Sequence, residues 1–206
     1  MTRILQIDSS ARVKRSKSRI LSHEFINAWK ASHSEDTIVY RDIGQNPIPH
    51  ITEAWIAADF SPPEAQTPEM ITALQISNEL VDEFLSCDRC VFSLPMYNFG
   101  VPSVFKAYID QIVRVNRTFS VDESGFKGLV QDKKILFITA RGVGYASNSP
   151  YAGWDCQEPQ LRAAFNFIGV EDLQFIHAEN LDLGDEMRER SLTEAREKIQ
   201  QIIANW

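Results

Sequence analysis

Cysteine is scarce in this chain of 206 residues: Cys87, Cys90 and Cys156 make an odd set of three, which argues against a disulfide framework. Cys87-Asp88-Arg89-Cys90 has C-x-x-C spacing. No second pair supplies the four ligands of a structural zinc site, and the pair does not open a helix, where a redox dithiol usually sits. These cysteines read as core or connector residues. No apolar run reaches the roughly 18 residues of a membrane span. The start, Met1-Thr2-Arg3-Ile4-Leu5-Gln6-Ile7-Asp8, turns polar too soon for a signal peptide, so a cytoplasmic protein is expected. Positive charge is also short. With 21 Lys and Arg against 28 Asp and Glu, the net charge of −7 argues against a nucleic-acid partner. Neither G-x-G-x-x-G nor a P-loop occurs, so the dinucleotide and nucleoside-triphosphate templates do not match. No Ser/His/Asp triad and no metal site is recognisable.

What is present is an ordinary globular composition, 44% hydrophobic and 24% charged, at a length that suits one domain over residues 1–206. Short apolar runs alternate with longer amphipathic ones. Strands are expected at Arg3–Asp8, Thr37–Tyr40, Arg89–Leu94, Lys134–Ala140 and Leu173–Ala178. Helices are expected at Arg19–Ala31, Pro68–Ser86, Ser103–Arg114, Gln157–Ile168 and Ser191–Asn205, with a short one near Glu53–Ala58. Asn116–Asp132 is irregular and suits a hairpin or a flap. This alternation predicts an α/β fold with a five-stranded parallel sheet and helices on both faces; 2-1-3-4-5 is one common strand order. In that order the ligand crevice lies beyond the C-terminal ends of strands one, three and four.

Three unusual loops fall there. The first, Ser9–Arg19, is polar and basic, and residues 1–30 carry a local charge of +5 on an otherwise acidic chain. Ser16 or Ser18 can cap the following helix, and Ser10, Ser16 and Ser18 offer hydroxyls beside its free N–H groups, an anion site. The second, Pro95-Met96-Tyr97-Asn98-Phe99-Gly100-Val101-Pro102, offers apolar cover for a flat ring and an amide for its edge. The third, Ala140-Arg141-Gly142-Val143-Gly144-Tyr145, allows close backbone approach. Taken singly, each also fits a plain capped helix start or turn. Together they suit a mononucleotide with a planar base, such as FMN.

These motifs resemble the FMN-dependent azoreductases, also described as FMN-dependent NADH:quinone oxidoreductases, which have a flavodoxin-like fold. The resemblance spans the chain. It is carried by Pro95–Ser103 continuing through Phe105-Lys106-Ala107-Tyr108-Ile109-Asp110, by Asp8–Arg12 with Ser16–Arg19, by Gly128-Leu129-Val130, and by Phe167-Ile168-Gly169. It implies that Ser10, Ser16, Lys17 and Ser18 hold the FMN phosphate. It assigns the ring to Met96, Tyr97, Asn98, Phe99 and the loop Ala140, Arg141, Gly142, Val143. It implies NADH or NADPH as donor, a quinone or azo compound as acceptor, ping-pong two-electron reduction, and a homodimer whose sites are lined by both subunits. Phe119 and Phe167 are expected as pocket walls. Tyr145 is the candidate proton donor, with His50 and His177 possible by residue type alone. Ile51, Trp55, Ile56 and Phe60 suit either a dimer contact or the chain's own core. One departure is visible: the family often reads Ser-Arg-Gly-Gly where this chain has Ala140-Arg141-Gly142-Val143. Two rival activities share the fold and flavin: an electron carrier of flavodoxin type, and a flavin reductase acting on nitroaromatics or metal complexes.

Overall fold

The computed structural model describes Met1–Trp206. Five parallel strands form the central sheet: β1 (Arg3–Asp8), β2 (Thr37–Asp42), β3 (Arg89–Pro95), β6 (Lys134–Ala140) and β7 (Asp172–Ala178), ordered β2-β1-β3-β6-β7. That is the 2-1-3-4-5 order. An antiparallel hairpin, β4 (Phe119–Asp122) and β5 (Gly125–Gly128), stands apart from it and fills the irregular stretch.

Alternation along the strands builds two cores. Leu5 and Ile7 of β1, Phe92 of β3 and Phe137 of β6 face one way. There they meet α3 (Pro68–Leu85), α4 (Ser103–Ile112) and α5 (Gln157–Phe167) through Leu80, Phe84, Phe105, Tyr108 and Phe165. Ile4, Val91, Leu136 and Ile138 face the other way. They meet α1 (Lys17–Ser32) and α6 (Asp185–Ile203) through Leu21, Phe25, Leu192 and Ile199. A sheet covered on both faces is what near-continuous apolar strands require.

Two differences from the sequence reading have local causes. The closing helix starts at Asp185, six residues before the expected Ser191. Asp185 and Glu186 occupy its first turn, where carboxylates complement the helix dipole, after Gly184 at φ 100°. The apolar stretch 51–60 splits. In α2 (Glu53–Asp59), Trp55 turns inward against Ala58 and Leu74, with its Nε1 donating to Gln111 Oε1 at 2.9 Å. Ile51, Ile56 and Phe60 stay on the surface, Phe60 at 71% exposure. Cys87 and Cys90 are buried, and none of the three cysteines is paired. No helix is long and apolar enough to cross a membrane.

Candidate active site

The parallel sheet brings the ends of β1, β3 and β6 side by side, and each end carries one of the three loops. After β1, Ser16 is the cap of α1: its Oγ accepts from Arg19 N–H at 3.4 Å. The first-turn N–H groups of Lys17 and Ser18 stay free, and no acidic residue opposes an anion there. Ser10, Ser16 and Ser18 are all buried, and the hydroxyls of Ser16 and Ser18 lie 3.2 Å apart. Lys17 is half-buried beside them. This is a cradle of donors suited to a phosphate-like dianion.

After β3 the backbone turns tightly. Tyr97 and Gly100 exchange hydrogen bonds of 3.2 and 3.1 Å, and both intervening residues are left-handed, Asn98 at φ 46° and Phe99 at φ 72°. Asn tolerates this; Phe does so at a cost of about 1–2 kcal/mol. The loop is held from below by Met96 N–H on Ala140 O (2.9 Å) and by Cys156 N–H on Phe99 O (3.0 Å). The N–H groups of Asn98 and Phe99 meet no acceptor in the chain, and both residues are exposed with Tyr97.

After β6 the glycines serve close approach. A Cβ on Gly142 would stand 2.5 Å from Asp182 Oδ2. The N–H groups of Gly142, Val143 and Gly144 are likewise free. The Arg141 side chain turns inward and is buried beneath the loop. Its Nε donates to Gln157 Oε1 (3.1 Å), and its Nη1 to Asp155 Oδ2 (3.0 Å) and Glu179 Oε1 (3.3 Å). Gln157 in turn donates to Pro95 O at 3.0 Å, so one chain of bonds ties the second loop to the third. The Ala140 departure leaves its main-chain contact to Met96 in place.

The sequence matches the model of a family described by its flavodoxin-like fold across residues 2–203. The chain belongs to this family. An FMN-dependent NADH:quinone oxidoreductase of Nostoc punctiforme is 59% identical over 206 residues, covering 100% of both chains. FMN-dependent NADH:quinone oxidoreductase 3 of Pseudomonas aeruginosa is 41% identical, covering 98% of this chain and 93% of its own. Among solved structures, an azoreductase from Bacillus anthracis superposes with a TM-score of 0.92 at 26% identity, covering 100% of both chains. An FMN-dependent NADH-azoreductase of the same species, solved in complex with FMN, gives 0.86 at 26% identity, covering 98% of this chain and 100% of that one.

In this flavodoxin-like chain the remaining candidates separate. Tyr145 is on the third loop, its ring 5.7 Å from the Arg141 guanidinium; burial raises its pKa above the ordinary phenol value. His50 lines an open cleft of about 540 Å³ beside the second loop, with Tyr97, Asn98, Lys106 and Gln160. His177 lies on β7, below the third loop. Its Nε2 is 2.7 Å from Glu158 Oε2 and its Nδ1 2.7 Å from Thr139 Oγ1. A carboxylate only accepts, so Nε2 carries the proton and Nδ1 accepts from the Thr139 hydroxyl. Burial first, and then the nearby Arg141 charge, lower its pKa, so the ring is a neutral structural link. Phe119 and Phe167 come together, 4.9 Å apart, with Phe126 packed against both. A single chain does not bring them to the ring loops. The hairpin is pinned through Gly128 against Ile168 and Gly169, which precede β7, so the three rings sit at the opposite end of the sheet.

Sequence reasoning assigns Arg19, Gly44 and Gln157 no role at the site, although Arg19 ends the first loop. Arg19 reaches Asp42 and Ser10, and Gln157 reaches Pro95; these contacts have no short-range spacing that betrays them.

Proposed function

We propose that this chain is an FMN-dependent NADH:quinone oxidoreductase that also cleaves azo compounds reductively. The observation that carries the reading is the row of unpartnered N–H groups on the three adjacent loops, at Lys17, Ser18, Asn98, Phe99, Gly142 and Val143. The groups fit FMN part by part. Ser10, Ser16, Lys17 and Ser18 suit its phosphate, Met96, Tyr97 and Phe99 its ring face, and the remaining amides the polar ring edge. Full-length relatives named for the same activity support it.

The redox chemistry, hydride acceptance from NADH and two-electron delivery to the acceptor, is the cofactor's own. The chain's residues bind, orient and stabilise charge. The amides of Asn98, Phe99, Gly142 and Val143 are donors without an acceptor in the chain and would hold the polar edge of FMN, where fixed donors would favour negative charge. Tyr145 is the candidate proton source for a reduced acceptor by its place on the third loop; its phenol is protonated at neutral pH, and burial, by raising its pKa, makes it a weak acid there. Donor and acceptor use one open face in turn, which predicts ping-pong kinetics.

We infer a homodimer, with residues 1–206 forming one FMN-binding domain in each subunit. Phe126, at 69% exposure, together with Phe119 and Phe167, is an apolar cluster remote from its own ring loops, and it supplies the pocket wall expected of the partner's site. Three unpaired cysteines suit the reducing cytoplasm.

The test is anaerobic titration of the purified protein followed by visible absorbance. A yellow protein is expected to bleach with NADH and to recover its colour on adding a quinone or an azo dye, with NADPH run alongside. Yellow protein that bleaches with neither nucleotide would point to an electron carrier instead. Colourless protein that takes up no FMN would overturn the site.

A further inference from the structure

We propose that Arg19 is the positioning residue of the phosphate loop: it grips the Ser10 carbonyl from inside the domain and thereby turns the next amide toward the bound phosphate. The proposal rests on the assignment of the loop to the FMN phosphate.

Arg19 is 4% exposed and set between two carboxylates. Its Nη1 donates to Asp42 Oδ2 (2.7 Å) and Asp8 Oδ2 (3.2 Å). Its Nη2 donates to Asp42 Oδ1 (2.6 Å) and Ser10 O (2.7 Å). The fork on Asp42 is bidentate, the geometry that fixes a guanidinium in orientation as well as place. Asp8 is itself immobile. It is fully buried and also takes bonds from Ser93 Oγ (2.6 Å) and Tyr40 Oη (2.9 Å), with His23 Nε2 at 3.0 Å. Arg19 is thus referenced to β1, β2 and β3 together.

Gly44 closes the grip from behind. The N–H groups of Ile43 and Gly44 both donate to Asp8 O, at 3.0 and 3.2 Å, which draws the turn after β2 against the loop. A Cβ on Gly44 would stand 2.2 Å from Ser10 O and 2.8 Å from Arg19 Nη2, so only glycine leaves room. In a trans peptide the carbonyl and the following N–H point in opposite directions. Holding Ser10 O inward therefore aims Ala11 N–H away from Arg19, and that N–H has no acceptor in the chain. A flipped Ser10–Ala11 peptide would present a carbonyl oxygen to the anion in its place. Arg19 does not touch the phosphate in this scheme; it sets which pole of the peptide dipole the phosphate meets.

The consequence is selectivity for the phosphate. Riboflavin carries the same ring without it, so loss of Arg19 weakens FMN and spares riboflavin. The experiment titrates flavin-free full-length protein with FMN and with riboflavin, reading flavin fluorescence. The proteins are the wild type, R19Q, R19K, G44A, and R196Q, which breaks an exposed pair with Glu24 remote from the loop. The wild type is expected to prefer FMN by well over tenfold. R19Q and G44A are expected to lose about 10- to 100-fold in FMN affinity, about 1.4 kcal/mol per tenfold, with riboflavin changed less than about twofold. R19K keeps the charge but not the fork and is expected to fall between, while R196Q matches the wild type. Equal losses for both flavins, in variants whose circular dichroism and elution volume are native, mean a merely structural Arg19 and overturn the proposal; so does no loss. A wild type that does not prefer FMN overturns the phosphate-loop reading itself. Should R19Q not fold, R19K and G44A carry the comparison.

Discussion

Replacing Arg141 by Met probes the link between the two ring loops. The side chain is 2% exposed and donates three hydrogen bonds, to Gln157, Asp155 and Glu179. Removing one partner of a fully buried ion pair costs about 3–5 kcal/mol, because the other charge is stranded. Here the stranded carboxylates keep 15% and 21% exposure, so water recovers part of the loss. The expected destabilisation is therefore about 2–3 kcal/mol. With a urea m-value near 2–3 kcal/mol/M, the unfolding midpoint drops by about 1 M. The variant also frees Gln157, whose amide holds Pro95 O, so the loop carrying Asn98 and Phe99 loses one of its anchors. FMN affinity is expected to fall about tenfold, the equivalent of one such hydrogen bond. Arg141→Lys does not restore it, since an ammonium has no planar fork to serve Gln157 and two carboxylates at once. The assays are urea unfolding followed by circular dichroism and flavin titration of the flavin-free protein. A midpoint within about 0.3 M of wild type, well short of the expected drop of about 1 M, together with unchanged FMN affinity would refute the latch.

Gly128→Ala places a Cβ 2.3 Å from Gly169 N and 2.4 Å from Ile168 C, where only backbone can yield; a loss of about 2–3 kcal/mol is expected, read as a melting point lower by about 5–10 °C. Asp59→Ala strands the buried Arg114, which also donates to Ser77 Oγ at 2.6 Å and lies over Trp55. That variant should lose about 3–5 kcal/mol, and the double variant Asp59→Ala/Arg114→Met at least about 1 kcal/mol less. Equal urea midpoints for the two would contradict this. His177 gives a pH signature. Its folded pKa lies below 6.5, so below that pH the unfolded chain takes up a proton that the folded chain refuses, and stability falls with falling pH. The pKa of Glu158 is also depressed, but its contribution is lost only as pH falls below its ordinary value of 4.5. Between about pH 7.5 and 5.5, His177→Gln should therefore show a flatter dependence of the urea midpoint than wild type; parallel curves would disprove the neutral-ring assignment.

Much of the architecture was legible from periodicity. Ile4, Leu5 and Ile7, or Ile135 through Ile138, are apolar on both faces, and such strands belong in a sheet covered on both sides. The α6 boundary was not legible, since Asp185–Arg190 has no apolar stripe and its helicity comes from dipole complementarity and from continuity with the amphipathic turns of Ser191–Ile203. At the site, Ser16 was readable as a cap and the Pro95–Pro102 stretch as a ring-facing turn. Left-handed backbone at Phe99 was not, because nothing in a Phe announces it; the paired bonds of Tyr97 and Gly100 and the anchor at Cys156 impose it.

Arg141 and the three phenylalanines show the same division. The family resemblance put Arg141 in a ring-binding loop and Phe119 and Phe167 at the wall of a flavin pocket. Tertiary structure decided that the guanidinium turns inward to carboxylates 14 and 38 residues away, and that the rings cluster at the far end of the sheet. Local sequence determines period, caps and turn-formers because those interactions act within a few residues. Which carboxylate meets which cation, and which end of the sheet an aromatic reaches, depends on strand order and crossover direction, and these are set only when both faces of the sheet are packed.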